Sequence, residues 1–125
     1  MEPTGKELRI LLQKKLNEVR QKKGIKLSDM NLTDEGGKTL SEAQKSMLFS
    51  GKRQMGLWTI FQISKVLNIN IGFNPKCINV VDSRMIDKHV KVDMMTSEEF
   101  AAICSDQESV GPFEIRCFQL KEADK

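Results

Sequence analysis

Leu8, Leu11, Leu12, Leu16 and Val19 recur three and four residues apart, the spacing that gathers apolar side chains on one helical face. Thr4 and Glu7 stand at capping-box spacing ahead of this stripe. Arg20, Lys22 and Lys23 suit the negative end of a helix dipole, and Gly24 supplies a left-handed stop. The pattern predicts a helix from about Gly5 to Lys23. Next, Leu27, Met30 and Leu32 are candidates to point inward, with Ser28 as the cap of a short helix. Asp34-Glu35-Gly36-Gly37 predicts a turn. Thr39 and Glu42 repeat the capping-box spacing, Leu40, Ala43, Met47 and Leu48 form a second stripe, and Gly51 ends it. Lys52-Arg53-Gln54-Met55-Gly56 predicts a loop. Leu57 to Leu67, with Ile60, Phe61, Ile63, Val66 and Leu67 on several sides, predicts the central helix of a bundle.

The period then changes. Asn68-Ile69-Asn70-Ile71-Gly72-Phe73 alternates polar and apolar, which predicts a strand, and Asn74-Pro75 predicts a turn and the best internal boundary. Cys77–Asp82 and His89–Met95 read as further strands. Thr96-Ser97-Glu98-Glu99 is a third capping box, opening a helix through about Cys104. Ser105–Pro112 reads as a polar loop, and Phe113, Ile115, Cys117 and Phe118 suggest a final strand. The expected fold class is α+β: four to five short helices over residues 1–75, followed by a small β-rich extension with one helix over residues 76–125.

Composition adds partners and excludes classes. A chain of 125 residues, 39% hydrophobic and 30% charged, suits one domain or one small domain with an extension. The net charge of +3 is unevenly placed. Residues 1–75 hold thirteen Lys and Arg against seven Asp and Glu, a net +6, and the remainder carries −3. A basic segment joined to an acidic one suits a nucleic-acid binder with a separate interaction segment. No apolar run approaches the ~20 residues that span a bilayer. The start of the chain lacks the basic-then-apolar order of a signal peptide, so the expected location is the cytoplasm.

Cys77, Cys104 and Cys117 form no CxxC pair and predict reduced thiols rather than a disulfide framework. His89 is the one histidine, which leaves no constellation for a transition metal. Ser50-Gly51-Lys52 lacks the preceding glycines of a phosphate loop, and no His stands by to activate a Cys nucleophile. The expectation is therefore a protein without catalytic residues, metal or cofactor.

Two segments, taken together, resemble the lambda-repressor-like (Xre) helix-turn-helix family, closest to its HigA-antitoxin-like variant, over roughly residues 8–71. Leu16-Asn-Glu-Val-Arg20-Gln-Lys-Lys-Gly24-Ile25 is similar to the family's first helix and its closing glycine. Ser46-Met-Leu-Phe-Ser-Gly51-Lys52-Arg53-Gln-Met-Gly-Leu57, continuing through Ile60, Ile63, Val66, Leu67 and Ile69, is similar to the end of a recognition helix and the helix that follows it. The resemblance implies that residues 1–75 are a helix-turn-helix DNA-binding domain whose recognition helix covers about Leu40–Ser50. Lys52 and Arg53 then fall where family members touch phosphate, a contact that supplies affinity without sequence information. The alternative for these two is a solvated loop. Lys38, Ser41, Gln44 and Lys45 complete the candidate DNA contacts; Gln can pair with adenine and Lys can donate to guanine in the major groove.

Three departures accompany the resemblance. The spacing from Arg20 to Gly51 is about four residues longer than usual, with the excess at Asp34–Lys38. Phe49 stands where many members carry an acid that pairs with the Arg of the first helix. The family register turns Lys45 inward, whereas the local stripe turns Leu40, Ala43 and Met47 inward instead.

The leading functional expectation is a sequence-specific transcriptional regulator of a bacterium or phage, bound to double-stranded DNA as a homodimer. Residues 76–125 are the expected dimerisation or partner-binding surface, with no membrane involved. Two alternatives stand beside it. One is an antitoxin whose residues 76–125 hold a toxin; the other is a protein-interaction module that has lost DNA binding.

Overall fold

The computed structural model describes residues 4–74, 76–84 and 104–118. The chain divides into a helical unit ending at Leu67 and a sheet unit beginning at Asn68.

In the helical unit, α1 (Gly5–Lys22) opens as its sequence dictates. Thr4 Oγ1 accepts from the Glu7 N–H at 3.1 Å while the Glu7 carboxylate receives the Thr4 N–H, satisfying two otherwise orphaned amides. Leu12, Leu16 and Val19 are its buried apolar stripe. Its end is marked by Gly24, whose φ of +71° few other residues adopt readily. The Lys23 ammonium donates to the last carbonyl of α3 (Leu57–Leu67), Leu67 O, at 2.6 Å.

The expected second helix does not form, and with it the expected bundle of four to five helices is overturned: the described residues hold three α-helices. Where that second helix was expected, Leu27–Asp29 makes a single 3₁₀ turn, and the chain then runs out and back as a short hairpin. Leu40 N–H donates to Leu32 O at 2.9 Å, Asp34 N–H to Lys38 O at 2.8 Å, and Thr33 bridges Thr39. The Asp34 carboxylate accepts from the N–H groups of Gly36 and Lys38, both at 2.9 Å, and Gly37 takes a φ of +86°. An Asp that binds its own turn, followed by two glycines, favours this reversal over helix. Met30, Leu32 and Leu40 anchor the hairpin in the core.

The hairpin also moves the start of α2 (Glu42–Ser50). Thr39 is committed to the bridge, so the capping box is Ser41 with Gln44 rather than Thr39 with Glu42. Gly51 closes α2 in the left-handed region as expected.

The sheet unit comprises β1 (Ile69–Phe73), β2 (Cys77–Asp82), β3 (Cys104–Val110) and β4 (Phe113–Phe118), in the order β1-β2-β4-β3. β1 and β2 are antiparallel, with Ile71 opposite Val80. β2 and β4 are parallel, and β3 returns antiparallel on β4. Residues Ile78 to Asp82 of the inner strand β2 are buried without alternation. The segment Ser105–Pro112, expected as a loop, is strand as far as Val110, and Gly111-Pro112 is the turn. Its exposed Gln107, Glu108 and Ser109 carry no strand signal; β3 is an edge strand paired along the β4 ladder. The expected strand His89–Met95 and the helix from Thr96 lie outside the described residues, and Cys104 begins β3.

Candidate nucleic-acid interface

α2 and the turn that follows it are positioned by α1. Gln13, fully buried among the leucines of α1, donates through Nε2 to Leu48 O and to Arg53 O, both at 2.7 Å. Arg9 Nη1 donates to Gln13 Oε1 at 2.5 Å and to Arg53 O at 3.2 Å. The N–H groups of Lys52 and Arg53 both donate to Met47 O, at 2.9 and 3.1 Å. The carbonyls at the end of a helix normally lack partners; here a side chain from another helix meets them. Gly51 sits at φ +83°, and a Cβ there would come within 3.1 Å of Ile10 Cγ2. The turn is thus pinned through its backbone, with Lys52 exposed and Arg53 half-buried.

The face that α2 turns outward differs from the expected stripe. Ala43 and Met47 are exposed, together with Ser41, Glu42, Ser46 and Ser50, whereas Lys45, Leu48 and Phe49 are buried. Of the two registers left open by the sequence, α2 takes the one that turns Lys45 inward.

Each candidate residue has a definite place. Lys45 does not reach the surface: its ammonium donates to Leu27 O at 2.8 Å and Met30 O at 3.2 Å and pairs with Glu42 at 3.0 Å. A buried charge persists only with such partners, and they make Lys45 the clasp between α2 and the 3₁₀ turn. Gln44 is half-buried, with Oε1 accepting from the Ser41 N–H at 2.8 Å, and Ser41 Oγ receives the Gln44 N–H in return. Lys38 is exposed on the hairpin. Lys52 and Arg53 follow α2 directly. The structure therefore brings together Lys52, Arg53 and the outer face of α2, and removes Lys45 from the set.

Arg9 and Gln13 carry no functional signal in the sequence; each is a polar residue next to a leucine of the stripe. Phe49 packs against the guanidinium of Arg20. The Arg20 guanidinium carbon stands 5.4 Å from the Phe49 ring centroid, with Nη1 donating to Ile25 O and Nη2 to Asn17 Oδ1, both at 2.7 Å. The aromatic face gives the cation a partner beside these hydrogen bonds.

Comparison with protein-family models, curated proteins and solved structures finds no match. Among the described residues, no group of three His, Cys, Asp or Glu side chains could hold a metal ion, and no helix is long and apolar enough to cross a membrane.

Proposed function

We propose that the chain is a cytoplasmic, sequence-specific DNA-binding regulator of a bacterium or phage. In this reading the outer face of α2 enters the major groove and the Gly51–Arg53 turn rests on the backbone. The observation that carries the reading is the clamped turn. Gln13 and Arg9 fix the backbone from which Lys52 and Arg53 project, at the end of a helix that turns Ala43, Ser46, Met47 and Ser50 outward. An α-helix with its side chains is about 10–12 Å across, which fits the ~12 Å width of the groove.

Side chains that can meet base edges are Ser46 and Ser50, as donors or acceptors, and Ala43, which can contact a thymine methyl. Lys52 and Arg53 supply phosphate contacts, and the +6 charge of residues 1–75 supplies long-range attraction. The hairpin Leu32–Leu40 leads into α2 in place of a preceding helix. Selection from a pool of random duplexes, read by sequencing, tests the proposal. Enrichment of a defined site supports it, and failure to retain any duplex at low salt refutes it.

A further inference from the structure

Arg9 has a second edge that the turn does not use. Its Nη1 donates to Gln13 Oε1 at 2.5 Å, to Arg53 O at 3.2 Å and to Gly51 O at 3.4 Å, all neutral oxygens. Among the described residues its Nε and Nη2 have no hydrogen-bond partner, yet neither is buried from solvent. Other arginines differ. All three guanidinium nitrogens of Arg20 are engaged, and Arg84 and Arg116 each turn Nε and Nη2 onto a carboxylate. Among the described residues no carboxylate pairs with Arg9, nor with Lys6, Lys52 or Arg53. From Ala43 to Leu67, the remainder of the helical unit, the chain contains no Asp or Glu. Arg9 is thus a half-buried cation without a counter-charge, its free edge held in place by the three bonds on the other side.

We infer that the Nε–Nη2 edge of Arg9 holds a backbone phosphate of duplex DNA, so that the interface begins on α1. The inference rests on the DNA-binding reading and adds to it a residue that nothing in the sequence singled out. Arg9 then acts twice: Nη1 sets the turn, and the opposite edge meets the anion. That edge presents two parallel N–H groups, which match two oxygens of one phosphate in a way that a lysine ammonium does not. Arg53 O is itself an acceptor of Nη1, so the guanidinium stands against the residue pair proposed to rest on the backbone. A duplex carries about one phosphate charge per 1.7 Å of its axis and can meet Arg9, Lys52 and Arg53 together. A single carboxylate would neutralise one of them. A fork already fixed by three bonds also loses little freedom when it binds.

A residue that only positions Lys52 and Arg53 has nothing left to position once both are alanine. The test is therefore made in the Lys52→Ala, Arg53→Ala background, by fluorescence anisotropy on random duplex, with circular dichroism as the check on folding. There Arg9→Gln is expected to make the slope of log affinity against log salt shallower by about one further unit. Arg9→Lys keeps the charge and is expected to hold the slope. An unchanged slope in the folded Arg9→Gln variant overturns the inference and leaves Arg9 as a brace for the turn alone. Should that variant not fold, the wild type decides. The Arg9 Nε–H resonance of the nitrogen-15-labelled protein is expected to shift when duplex is added, and a resonance that stays in place overturns the inference. A wild type that retains no duplex at low salt removes the DNA-binding reading and this inference with it. A wild type that binds duplex while both Arg9 readouts stay unmoved removes the inference alone.

Discussion

Gln13 on α1 donates to the carbonyl of Arg53, forty residues along the chain, from a position with no exposure to solvent. That bond and its companion to Leu48 O tie the first helix to the turn that carries the basic pair. Gln13→Leu keeps the volume and removes the donor, leaving Leu48 O and Arg53 O without it. Arg53 O keeps Arg9 and Leu48 O keeps the Gly51 N–H, so the change deletes two hydrogen bonds that contribute about 0.5–1.5 kcal/mol each, and a loss of stability on the order of 2 kcal/mol is expected in urea denaturation. A change within a few tenths of a kcal/mol of wild type would show that solvent replaces the side chain and the turn is not clamped.

The Arg20–Phe49 pair is expected to couple energetically. A double-mutant cycle with Arg20→Met and Phe49→Leu isolates the contact from the packing that each residue also provides. Partly buried cation–π pairs contribute roughly 0.5–2 kcal/mol. Additive single changes would mean that the Arg20 hydrogen bonds to Asn17 and Ile25 alone hold the guanidinium.

Lys45 offers a test of register. Lys45→Met retains the methylenes and deletes the ammonium bound to Leu27 O and Met30 O. The expected result is a destabilisation of about 1–3 kcal/mol with an unchanged salt dependence of DNA binding. A shallower salt dependence at unchanged stability would put Lys45 on DNA and reverse the assigned face of α2.

The sequence discloses those parts of the fold that local chemistry decides. α1 ends within a residue of its predicted bound, and α3 runs from Leu57 to Leu67 as predicted, because Thr4, Glu7, Gly24 and the apolar period act within a few residues. The start of α2 was misplaced because two capping boxes overlap, and only the bridge from Thr33 removes Thr39 from the choice. The inward turn of Gln13 is hidden for another reason, and that of Lys45 is given by the family register alone, against the local stripe. A polar side chain is buried when distant carbonyls arrive to receive it, and Leu27, Met30, Leu48 and Arg53 are brought there by tertiary packing. The exposed aromatics of α3 show the converse: apolar period names a helix but not how many of its sides are covered. Of the candidate site, the Lys52-Arg53 turn was legible through Gly51, and the outward face of α2 was not.

The central claim is that the turn after α2 lies on the DNA backbone, and the most direct measurement is the salt dependence of binding to random duplex DNA. Fluorescence anisotropy of wild type and of the double variant Lys52→Ala, Arg53→Ala gives the slope of log affinity against log salt for each. If both residues contact phosphate, the slope becomes shallower by about one unit per lost contact. A selected site and random duplex should then weaken alike, because phosphates carry no base identity. A folded double variant with the wild-type slope would contradict the account and place the duplex on another face of the protein.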